Sequence, residues 1–206
     1  MSKARVMAVA VAAILVAAVW ASTAAANVVH YRLQGATAQA IWQHGNTTTL
    51  VDGQSDTVFG TFIFFDRFTP HFDQHGNFTG GTDLSGDSFG RGASVSVGKL
   101  LSSAKVTANI AVRRCTITAS GNETGCTRAG SITITLTFTG VGPTARGGSN
   151  DHFHYPGVTI TDHMVGTQRQ ATVTGTIAGQ HVIARDLQEA IIGHLKGGGL
   201  FACHGC

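Results

Sequence analysis

Ser131-Ile132-Thr133-Ile134-Thr135-Leu136-Thr137-Phe138-Thr139 alternates without a break between an apolar side chain and a hydroxyl. On an extended chain successive side chains point to opposite faces, so Ile132, Ile134, Leu136 and Phe138 share one face and the threonines the other. A helix would scatter both sets around its circumference, and the β-branched threonines lower helix propensity further. The stretch therefore reads as a strand with one buried and one wet face.

The same period recurs at Ala36, Ala38, Ala40 and Trp42, and at Ala171, Val173 and Ile177 with Thr172, Thr174 and Thr176 opposite. Between Thr57 and Phe68 the pattern changes. Phe62, Ile63, Phe64 and Phe65 are consecutive, which predicts a central strand covered on both faces. Glycine clusters at Gly76 to Gly92 and Gly140 to Gly157 predict two long loops. Only Ala184 to Lys196 has helical spacing, at Leu187, Ala190, Ile191 and Leu195, with Asp186 and Glu189 early, Lys196 late and Gly197 to Gly199 as a stop. The fold class expected is all-β: an antiparallel β-sandwich or barrel with one short helix near the C-terminus over residues 184–196, then a flexible Gly/Cys tail over 197–206.

Met1 to Arg5 is a short basic start, Val6 to Ala21 is almost wholly apolar, and Ala24-Ala25-Ala26 fits a small-residue cleavage site. This is the pattern of a secretory signal peptide over residues 1–26, cleaved after Ala26, which makes the expected location secreted or periplasmic. The rest, 27–206, reads as a single exported β-domain. Of the 206 residues and 14 Lys+Arg, the leader takes Lys3 and Arg5, leaving 12 basic against 11 acidic residues. A chain this near neutrality lacks the basic field of a nucleic-acid partner. No segment after residue 26 is apolar for long enough to span a bilayer as a helix. All 27 glycines and all ten histidines lie after the leader.

Four cysteines in an exported chain allow three pairings. Cys115 and Cys126 flank Ser120-Gly121-Asn122, a turn signal between two strands, so a Cys115–Cys126 disulfide across a hairpin is the local solution. Val106, Ala108, Ile110 and Val112 put even positions inward, whereas Cys115 and Ile117 are odd. That parity switch predicts a β-bulge at Arg113 or Arg114. Cys203-His204-Gly205-Cys206 has no helix to follow it and no second C-x-x-C, so a disulfide, either local as Cys203–Cys206 or intermolecular, is favoured over redox catalysis or half a zinc site.

Asp151-His152-Phe153-His154 places two imidazoles on one side of an extended segment, and His163 follows the Tyr155-Pro156-Gly157 turn. His152, His154 and His163 are therefore the candidate metal ligands, for Zn or Cu, with Asp151 or Asp162 to orient a ring. His71 to Asn77 lacks the acidic spacing of an EF-hand loop. Sequons occur at Asn46, Asn77 and Asn122, and no hydrolase, metalloprotease or phosphate-loop motif is present. The function expected is non-enzymatic binding of a small ligand or extracytoplasmic partner by the loops at Thr69 to Gly92 and Val141 to Thr161. The alternative is a metal-dependent enzyme or metal-binding protein using the histidine cluster at 152–163.

Overall fold

The computed structural model describes residues 27–90, 92–155 and 158–203, so the leader expected over 1–26 lies outside them. Period two becomes ten strands: β1 (Asn27–His44), β2 (Thr47–Asp56), β3 (Gly60–Phe72), β4 (Phe78–Phe89), β5 (Ala93–Val97), β6 (Ser103–Thr118), β7 (Glu123–Tyr155), β8 (Val158–Ile177), β9 (Gln180–His181) and β10 (Leu187–Cys203). Neighbours run β10-β1-β2-β3-β4-β6-β7-β8-β9, and β10 also pairs with β8. The path thereby closes through β8 and β10 into a ring of hydrogen bonds, with only the short β5 and β9 paired on one side, which favours the barrel alternative over two separate sheets. No helix among the described residues is long and apolar enough to cross a membrane.

The Ser131–Thr139 alternation is realised side chain by side chain. Ile134, Leu136 and Phe138 are fully buried, while the threonines between them are exposed. Across the β6–β7 ladder Ile134 meets Ala108 and Leu136 meets Val106. Ala38, Ala40 and Trp42 of β1, Val51 of β2, Ile63 and Phe65 of β3, and Ala171, Val173 and Ile177 of β8 complete the core. Each fully buried large apolar side chain contributes roughly 1.5–3 kcal/mol.

Four expectations need correction. Only Ile63 and Phe65 of β3 are fully buried; Phe62 and Phe64 lie half-buried on the outer face, where Phe62 meets Phe89 with ring centroids 4.5 Å apart. The two glycine-rich loops are mostly strand, because glycine there lets backbones approach. A Cβ on Gly81 would lie 2.7 Å from the Thr69 carbonyl oxygen, and one on Gly86 would run into that of Ala111.

The expected helix over 184–196 is a 3-10 turn at Ala184–Asp186 followed by β10, and that strand replaces the flexible tail as far as Cys203. Ala190 and Ile192 are buried at period two. A Cβ on Gly193 would sit 3.0 Å from Thr37 Oγ1 and 3.2 Å from the Thr167 carbonyl oxygen, so the chain is wedged between β1 and β8. Ring closure overrides a helical spacing already weakened by Gly193.

The Cys115–Cys126 disulfide is present, with Cα atoms 4.1 Å apart. The bulges, however, lie on β7. The β4–β6 register runs unbroken past Arg113 and Arg114, whereas the β6–β7 register slips between Ala111 and Arg113 and again between Arg114 and Thr116. Both slips place the extra residue on β7, where Gly125 and Gly130 take φ of 60° and 88°. Glycine occupies that left-handed region without the Cβ penalty an arginine would meet. Cys115 therefore keeps the outward parity of Arg113 and is buried, 1% exposed, on the outer face.

The chain divides into two compact units. The described residues of the smaller are 27–31, 150–155, 158–163 and 198–203; the larger is Arg32–Ser149 with Met164–Gly197.

Candidate functional site

Within the larger unit a cavity of about 500 Å³ is lined by Lys99, Leu100 and Leu101, by Thr144 and Arg146 of β7, and by His194, Leu195 and Lys196 of β10, with Gln34, Gly35 and Thr167 completing it. Its construction begins with the tight turn between β5 and β6. The Leu101 N–H donates to the Gly98 carbonyl and the Gly98 N–H to that of Ser103, both at 2.8 Å. The fold forces Leu101 to a φ of 52°, an unfavourable value for a branched side chain, and holds it there by burying it in the core. The Gly140 N–H donates to the Ser102 carbonyl, which fixes the turn to β7.

That anchoring leaves Lys99 and Leu100 at the tip, with Leu100 81% exposed. His194 Nε2 lies 3.2 Å from the Gly98 carbonyl oxygen, which brings β10 against the turn.

Lys99, Arg146 and Lys196 converge here without any carboxylate in the lining. Among the described residues none of the three takes part in a salt bridge; the ion pairs are His44–Asp186, Arg113–Glu123 and Arg185–Asp186. All three are exposed, and like charges around one concavity raise the local potential, an effect that salt screens. Chemically the cavity offers cationic and hydroxyl donors together with the apolar side chains of Leu100 and Leu195. Such an arrangement receives an anionic group carrying an apolar body.

The sequence-derived candidates lie elsewhere, in the smaller unit. His152 Nδ1 is 3.0 Å from Thr161 Oγ1, His154 Nδ1 is 3.1 Å from Thr159 Oγ1, and His163 Nδ1 contacts Asn150 Oδ1. These cross-strand contacts place all three imidazoles on one exposed face of the β7–β8 hairpin. Among the described residues, the donor atoms that come within 4.8 Å of one another in threes are those of Cys115, Glu123 and Cys126, so the three imidazoles stand side by side without converging.

Asp162 lies on the opposite face, buried beside Tyr31, whose hydroxyl is pushed up to about 12 by burial and by that carboxylate. It therefore orients no histidine. Cys206 lies outside the described residues, and with it the expected Cys203–Cys206 bridge. At the β3–β4 turn the Asp73 carboxylate accepts from the backbone of His75 and Asn77 and from the Asn77 side chain, which holds it below the usual carboxylate range.

Sequence reasoning missed Lys99, Arg146, His194 and Lys196 because near-neutral overall charge hides a cluster drawn from distant segments. The local signal was Gly98-Lys99-Leu100-Leu101-Ser102, a turn with two consecutive leucines. Comparison with protein-family models, with curated proteins and with solved structures finds no match for this chain.

Proposed function

We propose that this chain is an exported, non-enzymatic β-domain that binds a small amphipathic anion, such as a carboxylate on a short aliphatic chain, in the Lys99–Arg146–Lys196 cavity. The observation that carries the reading is three cations without a lining carboxylate beside Leu100, Leu101 and Leu195. The volume suits a small molecule. A rigid ring with ligand contacts on its turns is a common division of labour in binding domains. Calorimetric titration with octanoate and with octanol tests it. Octanoate is expected to bind one to one, more weakly as salt rises, and octanol about tenfold or more weaker, since a lost charge-assisted bond costs about 1.5 kcal/mol or more. Equal binding of the two, or none, contradicts the proposal.

The second reading is a Zn or Cu site on the exposed face carrying His152, His154 and His163. It is favoured by their shared side of the hairpin and by Nδ1 contacts that leave each Nε2 as the ligand atom. Stoichiometric metal in protein purified without a histidine tag, lost in His152→Ala/His163→Ala, supports it. Absence of metal after dialysis against Zn²⁺ or Cu²⁺ contradicts it.

A further inference from the structure

Asp66 of β3, Asp83 of β4 and Glu123 of β7 are gathered on the outer face near the disulfide. Glu123 Oε2 lies 3.7 Å from Cys115 Sγ and 3.9 Å from Cys126 Sγ. One carboxylate oxygen and both sulfurs fall within 4.8 Å of one another. Asp83 stands directly across the β4–β6 ladder from Cys115, on the same face, and is only 7% exposed. Ser85 Oγ donates to Asp83 Oδ2 at 2.6 Å.

Asp66 belongs to the same group. Its Oδ1 is buried without a hydrogen-bond partner. Two guanidiniums share this face, Arg113 and, opposite it across the β6–β7 ladder, Arg128, and Arg113 pairs with Glu123 at 3.0 Å.

We propose that opening the Cys115–Cys126 disulfide creates a site for one thiophilic divalent cation, Zn²⁺ being the natural fit, with Cys115, Cys126, Glu123 and Asp83 as ligands. Two thiolates and two carboxylates make a tetrahedral set, and bonds of about 2.3 Å to sulfur and 2.0–2.2 Å to oxygen put neighbouring donors just under about 4 Å apart. The three donors already gathered reach that spacing by side-chain rotation. Opening is a two-electron reduction by an external dithiol: the S–S bond breaks, each sulfur gains an electron and a proton, and the dithiol closes to its own disulfide. Metal binding then releases both thiol protons as the thiolates ligate. In the oxidised protein Cys115 and Cys126 offer no thiolate, so redox state gates the cation capacity of this site.

The test uses protein folded with the disulfide intact, reduced anaerobically with dithiothreitol, freed of it by gel filtration and titrated with Co²⁺. One equivalent should bind with sulfur-to-cobalt charge-transfer absorption, be displaced by Zn²⁺, and be absent from the oxidised protein. Glu123→Gln and Asp83→Asn, each carrying the same disulfide through folding, should weaken cobalt about tenfold or more, as even outer-shell changes do. The proposal is overturned if no charge-transfer band forms. It is equally overturned if both carboxylate variants bind as tightly as the parent, which is how two thiols on an unfolded chain would behave.

Discussion

The α-carbon of Gly140 lies against the carbonyl oxygen of Leu101, so closely that a methyl group at position 140 would run into it. The contact joins β7 to the turn that presents Lys99 and Leu100, and the oxygen belongs to backbone that cannot swing aside. Gly140→Ala should therefore cost about 1–3 kcal/mol and weaken octanoate binding, because the turn must move. Gly147→Ala, with nothing within 4 Å of the added methyl, should stay within about 0.5 kcal/mol of the parent. Urea unfolding of both variants checks this, and equal stability would refute the role given to Gly140.

Leu136 and Thr137 are adjacent in sequence and opposite in environment, the first fully buried and the second exposed. Leu136→Ala should destabilise by about 2–5 kcal/mol, whereas Thr137→Ser should be close to neutral. Comparable losses in thermal unfolding would mean that the period-two assignment is wrong.

The strands were legible in the sequence because burial on one face writes period two directly into Ser131–Thr139 and Ala36–Trp42. The disulfide was legible too, since Cys115 and Cys126 flank a turn. The bulge positions were not, because Arg113 and Arg114 mark where burial changes, whereas the extra residues belong to the partner strand at Gly125 and Gly130. The β10 strand was hidden for another reason. Its helical spacing is local, while the demand for a strand between β8 and β1 arises only when the ring closes. The cationic cavity was invisible because no two of its charged residues lie close in sequence.

Gly125 and Gly130 take positive φ with open space around them. Gly130→Ala should therefore lose roughly 1 kcal/mol from backbone strain alone, with the Cys115–Cys126 bridge intact by thiol titration. A stabilised variant would show that the position does not need the left-handed conformation.

Asp66 is raised to about 7 by burial, then by Asp83 and Glu123, in the oxidised metal-free protein. A carboxyl whose folded value is raised contributes stability that is complete below the unfolded value and is lost as pH rises through the folded one. Stability should therefore decline between about pH 4 and 7 on this account. Asp66→Asn removes the ionisation. Discounted for partial exposure to about 1 kcal/mol, the gain at pH 8 should raise Tm by about 2–4 °C, with little gain at pH 4. A Tm difference independent of pH would contradict the placement of Asp66 against Asp83.

The central claim is that Lys99, Arg146 and Lys196 form an anion site, and it is tested most directly by octanoate affinity in a Lys99→Gln/Lys196→Gln variant. Removing two cations of the three should weaken octanoate at least about tenfold, flatten the salt dependence, and leave Tm within a few degrees of the parent. An affinity unchanged in a folded variant would contradict the account.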